Sequence, residues 1–109
     1  MSSFDSTIEI CTQYAGTSFT RDIFKEDETE WEDEYSASYT LIDIEGNEVT
    51  QGNLTKETRH FHLNVPYTAT ETLEGKYLLL VYLHSTLDAQ YKEAIAEFNI
   101  KFNKKIPTK

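Results

Sequence analysis

The run from Leu73 to Leu83, Leu-Glu-Gly-Lys-Tyr-Leu-Leu-Leu-Val-Tyr-Leu, is the most apolar stretch of the chain and the tightest constraint on its fold. A glycine turn opens it, and the residues from Tyr77 to Leu83 carry no charge. An uninterrupted apolar run of this length suits a central strand with both faces covered. Tyr77, Leu79, Val81 and Leu83 make its inward face. Leu78, Leu80 and Tyr82 line the other, which is more apolar surface than the outside of a lone sheet normally shows, so this second face is a candidate partner surface.

Shorter strand signals surround that run. Thr7 to Gln13 alternates, with Ile8 and Ile10 expected on the buried side and Cys11 on the other. Ser18 to Phe24 alternates Phe19, Arg21 and Ile23 against Thr20, Asp22 and Phe24. Tyr35 to Ile44 places Ala37, Tyr39 and Leu41 on one face but Ile42 and Ile44 on the other, which predicts a bulge near Leu41 and Ile42. Glu45-Gly46-Asn47 reads as a tight turn into a return strand from Glu48 to Gln51. A second turn is expected at Gly52-Asn53. Arg59 to Pro66 then puts Phe61, Leu63 and Val65 inside, and Thr68 to Thr72 reads as a polar connection. For Tyr91 to Phe102, helical spacing over the front half competes with a final strand that buries Ala94, Ala96, Phe98, Ile100 and Phe102; nine residues of alternation favour the strand. About seven short strands separated by turn signals predict an all-β fold, an antiparallel β-sandwich. At 109 residues the chain fits one domain, 1–109, with loose terminal arms at 1–6 and 103–109.

Charge excludes some roles. Nineteen acids against ten bases give a net charge of −9, which repels nucleic acid and anionic membranes. Residues 1–57 hold fourteen of the acids and three of the bases, so one pole is acidic. Eight acids fall between Asp22 and Glu34, around Trp31. Self-repulsion and the lack of apolar periodicity predict a solvated loop there. A calcium site needs converging carboxylates, and no Asp-x-Asp-x-Asp-Gly spacing occurs. Trp31 is expected either as a core plug or as an exposed interface anchor.

Cys11 is the sole cysteine, so no intramolecular disulfide or cysteine-based zinc site can form, and a reducing cytoplasm is expected for synthesis. No secretory leader or membrane-spanning run is read from the sequence. His60 and His62 share one strand face at a spacing two metal ligands could use, but a third ligand from His84 or an acid would be needed, and they are read as unliganded. A nucleophile elbow, phosphate loop, dinucleotide fingerprint and HExxH helix are absent. The expectation is no enzyme and no cofactor.

The segment Leu73-Glu74-Gly75-Lys76-Tyr77 resembles the Leu-x-x-Gly-x-Tyr that opens strand F of immunoglobulin-like sandwiches. Gly75 and Tyr77 would then form a structural corner, with the tyrosine hydroxyl bonded back to nearby backbone. Leu79 stands where antibody domains carry the second disulfide cysteine. Three further segments are Ala15-Gly16-Thr17-Ser18-Phe19-Thr20-Arg21, Tyr39 to Asn47, and Gly75 to Val81 with the strand that ends the chain. These resemble small structural proteins of tailed bacteriophages, including the immunoglobulin-like N-terminal module of lactococcal-phage upper baseplate proteins. The acidic insertion around Trp31 departs from that pattern.

The resemblance implies a non-enzymatic accessory protein of the virion, in head, neck, tail or baseplate, made in the bacterial host cytoplasm. Its partners would be other virion proteins in a homo- or hetero-oligomeric assembly, with no direct nucleic acid and no membrane. Trp31, Leu78, Leu80 and Tyr82 are the candidate partner-binding residues. The alternative reading is an acidic DNA mimic that inhibits a host nucleic-acid-binding protein or nuclease. A carbohydrate-binding sandwich using Trp31, Tyr35 and Tyr67 is a third.

Overall fold

Eight strands and one helical turn follow the alternation of the sequence in a computed structural model that describes residues 7–25 and 31–104. The strands are β1 (Thr7–Tyr14), β2 (Phe19–Phe24), β3 (Tyr35–Asp43), β4 (Glu48–Asn53), β5 (Thr55–Lys56), β6 (His60–Val65), β7 (Gly75–Ser85) and β8 (Lys92–Asn103), with α1 at Tyr67–Thr70 between β6 and β7. They form a five-stranded sheet in the order β1-β8-β7-β3-β4 and a three-stranded sheet in the order β2-β6-β5. The two sheets enclose one core, in which Leu79, Val81 and Leu83 of β7 meet Phe61 and Leu63 of β6, all completely buried. The protein is an immunoglobulin-like β-sandwich, and β7 is the middle strand of its larger sheet.

Local chemistry sets the turns. Asp43 Oδ1 accepts from the backbone N–H groups of Glu45 and Asn47, both at 2.9 Å, and Gly46 takes φ +88°. This is the hairpin expected at Glu45-Gly46-Asn47, and the register shift of β3 falls between Leu41 and Ile42, where the sequence predicts a bulge. Gly75, at φ +97°, opens β7 in a conformation side chains resist.

Five local expectations are corrected. Ile8 and Ile10 face outward, 66% and 84% exposed, while Cys11 lies on the inner side against the core. The cause is a parallel pairing of β1 with β8, in which Cys11 stands beside buried Ile100 and Ile10 beside Asn99. Gly52 and Asn53 make no turn; β4 continues through them, and at Gly52 a Cβ would sit 2.8 Å from the buried Tyr39 ring, which leaves room for glycine alone. The chain passes to the second sheet at Leu54, whose N–H donates to Ala37 O. The polar connection expected from Thr68 to Thr72 overlaps one helical turn, Tyr67–Thr70, whose Thr70 is fully buried. In β8 a register shift opposite Val81 and Tyr82 inserts one residue, so Ile95 is buried and Ala94 exposed. Asn103, expected to begin a loose arm at 103–109, instead ends β8; residues 1–6, 26–30 and 105–109, which hold most of the two expected arms and part of the acidic segment, lie outside the described residues.

Candidate functional site

The outer face of the five-stranded sheet is built by the alternate positions of five neighbouring strands. On β7 these are Lys76, Leu78, Leu80 and Tyr82, the side opposite buried Leu79, Val81 and Leu83. Leu78 stands between Ile42 of β3 and Asn99 of β8, and Asn99 is in turn beside Ile10 of β1. One row across four strands therefore reads Ile42, Leu78, Asn99, Ile10. In the next row Leu80 lies between Thr40 and Glu97, with Ile8 beyond. Leu78, Leu80 and Tyr82 are half-buried by these neighbours, and Ile8 and Ile10 add apolar surface at the sheet edge, beyond Glu97 and Asn99.

Polar groups frame this surface. Lys92 Nζ lies 4.4 Å over the Tyr82 ring, a cation–π contact that shields part of that aromatic. His84 Nε2 and Ser38 Oγ share a hydrogen bond of 2.7 Å, and Asn99 Nδ2 donates to Glu97 Oε2 at 3.1 Å. Leu78 and Leu80 are thus the apolar centre of the face, and Tyr82 its partly covered end.

Trp31 is placed elsewhere. It is 4% exposed and packs in the core, its ring 4.9 Å from Phe61 and 6.3 Å from Tyr35. Of the two expected positions this is the core plug, and a buried indole presents no anchor to a partner. Tyr77 is half-buried with its ring edge-on to Phe102 at 5.6 Å, and among the described residues no hydrogen bond joins its hydroxyl to backbone. The corner of Gly75 and Tyr77 therefore consists of a positive-φ glycine and ring packing.

Other chemistry-bearing groups are engaged locally. His62 Nδ1 and Asp22 Oδ1 lie 2.8 Å apart, with His60 Nε2 at 3.6 Å from the same oxygen and its ring packed on Phe24. His84 is on the other sheet, and no group of three or more His, Cys, Asp or Glu side chains among the described residues is disposed to hold a metal ion. Burial, reinforced by the Glu9 charge, pushes the Cys11 thiol up, away from reactive thiolate. Arg21 reaches from β2 to Glu9 of β1 with Nε and Nη2 while its guanidinium covers the Phe19 ring at 4.4 Å. No helix of the described residues is long and apolar enough to cross a membrane.

The sequence pattern places Leu78, Leu80 and Tyr82 on the outer face, as the structure does, but puts Ile8 and Ile10 inside, because alternation names two faces of a strand without saying which is inside. The signal that could have chosen was chemical: Glu9, on the same face as Cys11, needs a cation, and Arg21 stands between inward Phe19 and Ile23.

No protein-family model matches the chain, and no curated protein matches it. Solved structures similar to it include the following two. CopC from Methylosinus trichosporium OB3b is 17% identical, with a TM-score of 0.48, over 97% of this chain and 91% of that one. A fibronectin(III)-like module of Clostridium thermocellum CbhA is 7% identical, with a TM-score of 0.44, over 94% of this chain and 92% of that one. At these similarities neither transfers a ligand or an activity.

Proposed function

We propose that this chain is a non-enzymatic interaction module that docks onto a larger protein assembly through the outer face of its five-stranded sheet. The observation that carries the reading is the set Ile8, Ile10, Ile42, Leu78 and Leu80 on one side of one sheet, remote from the core that Trp31 plugs. A sheet face exposed to water alone is normally polar, and apolar surface of this extent, interrupted on β8 only by Asn99 and Glu97 along these rows, marks protein contacts. The occupant is a protein subunit with apolar side chains of its own. The resemblance of the quoted segments to tailed-phage proteins makes a bacteriophage virion the assembly in question, at head, neck, tail or baseplate.

Leu80→Lys and Ile10→Lys test the reading. Each variant should keep the wild-type circular dichroism and melting behaviour yet no longer co-purify with particles assembled from the neighbouring structural proteins. Full association by both variants would sink the proposal, and unfolding of Ile10→Lys would show that β1 is core. Because Leu78 and Leu80 at the centre of the face carry no charge, association should fall only modestly between low and high salt, whereas a DNA mimic would lose orders of magnitude.

A further inference from the structure

Two of the lysines on the docking face of this otherwise acidic protein stand opposed. Lys76 of β7 and Lys101 of β8 stand directly opposite each other on the outer face, and both are exposed. Like charges at directly opposed positions of an antiparallel pair repel and weaken the pairing. Among the described residues neither lysine forms an ion pair, in a chain of net charge −9. Glu97, on the same face of β8, is held by Asn99 instead. Asp43, which lines the same hollow as Lys76, accepts from the backbone N–H groups of its own turn, so no ion pair among the described residues offsets the repulsion, and an anionic group between the two ammonium groups would relieve it.

The surface beside them has two depressions. One, of about 360 Å³, runs from Ile10 past Asn99 to Lys76 and Lys101. The other, of about 320 Å³, runs from Ile42 and Ile44 past Leu78 to Lys76. Lys76 lines both, so an apolar hollow lies on each side of it. Ile10 and Ile42 are three strand spacings apart, roughly 14 Å at about 4.8 Å each. Along an extended chain, residues i and i+4 face the same way about 13 Å apart, with i+2 midway between them. That midpoint falls between Leu78 and Asn99, two residues along β7 and β8 from Lys76 and Lys101, whose long side chains can lean over it.

We infer that the docking face takes an extended acidic segment of the partner, with the pattern apolar-x-Asp/Glu-x-apolar, its two apolar side chains in the hollows and its carboxylate between Lys76 and Lys101. This rests on the proposed docking role and adds the chemistry of the partner to it.

The probe is the blocked peptide Gly-Leu-Ser-Asp-Ser-Leu-Gly, titrated into the full ¹⁵N-labelled chain at low salt, beside the same peptide with Asn for Asp. Amide shifts should concentrate at Ile10, Lys76, Leu78 and Asn99, and the Asn peptide should bind about threefold to tenfold more weakly, as two exposed charge pairs allow. The double variant Lys76→Glu/Lys101→Glu, its fold verified by circular dichroism, should abolish the preference for Asp. Equal binding of the two peptides, shifts elsewhere, or no shifts at millimolar peptide would overturn the inference. Particle association separates this failure from that of the docking reading. If the double variant still associates while Leu80→Lys does not, the face docks but its partner is not acidic; if Leu80→Lys associates too, the docking reading itself fails.

Discussion

Thr70 shows how much one buried hydroxyl can organise. It is fully buried, accepts from Gly16 N–H at 3.1 Å and lies 2.8 Å from the Thr17 carbonyl it donates to, with the Tyr67 carbonyl at 3.1 Å. The bonds tie the β1–β2 turn to α1, segments more than fifty residues apart. Thr70→Val keeps the shape and removes both partners, leaving a backbone donor and acceptor without their bonds; the expected cost is about 1–3 kcal/mol by urea denaturation. A loss under about 0.5 kcal/mol would mean water replaces the hydroxyl. Nothing in Thr68-Ala69-Thr70-Glu71-Thr72 distinguishes Thr70 from its neighbours, because its role is made by residues far away in sequence. Phe61, Leu63 and Val65 were legible for the opposite reason: three apolar residues at a spacing of two can only share a face.

At the scale of elements, β1 is the informative case. Its alternation is clear, yet which side faces the core is decided by its parallel partner β8 and by the pair Glu9–Arg21 across the rim of the sandwich. Hydrogen bonds from Arg21 hold the Glu9 carboxyl below its usual 4.5, against the opposing effect of burial. A carboxyl lowered in the folded state stabilises fully above its unfolded value and loses that contribution as pH falls through the folded value. Unfolding free energy should therefore decline as pH is lowered from about 6 to about 3. Asp43, lowered by its bonds from the Asn47 backbone and others in the turn, acts in the same direction. Glu9→Gln should remove part of the slope, about 0.5–1 kcal/mol for an ion pair whose side chains are about one third exposed. An unchanged pH profile in the variant would show that β1 is positioned by strand pairing alone. The β8 bulge carries the same lesson. Strict alternation predicts Ala94 inside, but one extra residue opposite Val81 and Tyr82 exchanges it for the larger Ile95.

For the whole molecule, the two sides of the larger sheet should respond oppositely to substitution. Leu79 is fully buried between the sheets, and Leu79→Ala should cost about 2–5 kcal/mol in thermal or urea unfolding. Ile10 lies on the same sheet but is 84% exposed, and Ile10→Ser should change stability by no more than about 0.5 kcal/mol. Comparable losses at the two positions would place a second core beneath the outer face and leave no free surface for docking. The sequence by itself determined most of the strands, the hairpin at Gly46, the bulge in β3 and the central place of Tyr77–Leu83, because these follow from local periodicity, from a turn residue that tolerates positive φ and from apolar runs that must be covered. Only the tertiary structure decided that Trp31 fills the core, that Ile8 and Ile10 join Leu78 and Leu80 outside, and that Lys76 meets Lys101. Each of these depends on which strand lies beside which and in what register, and register is an agreement between distant segments that no local pattern contains.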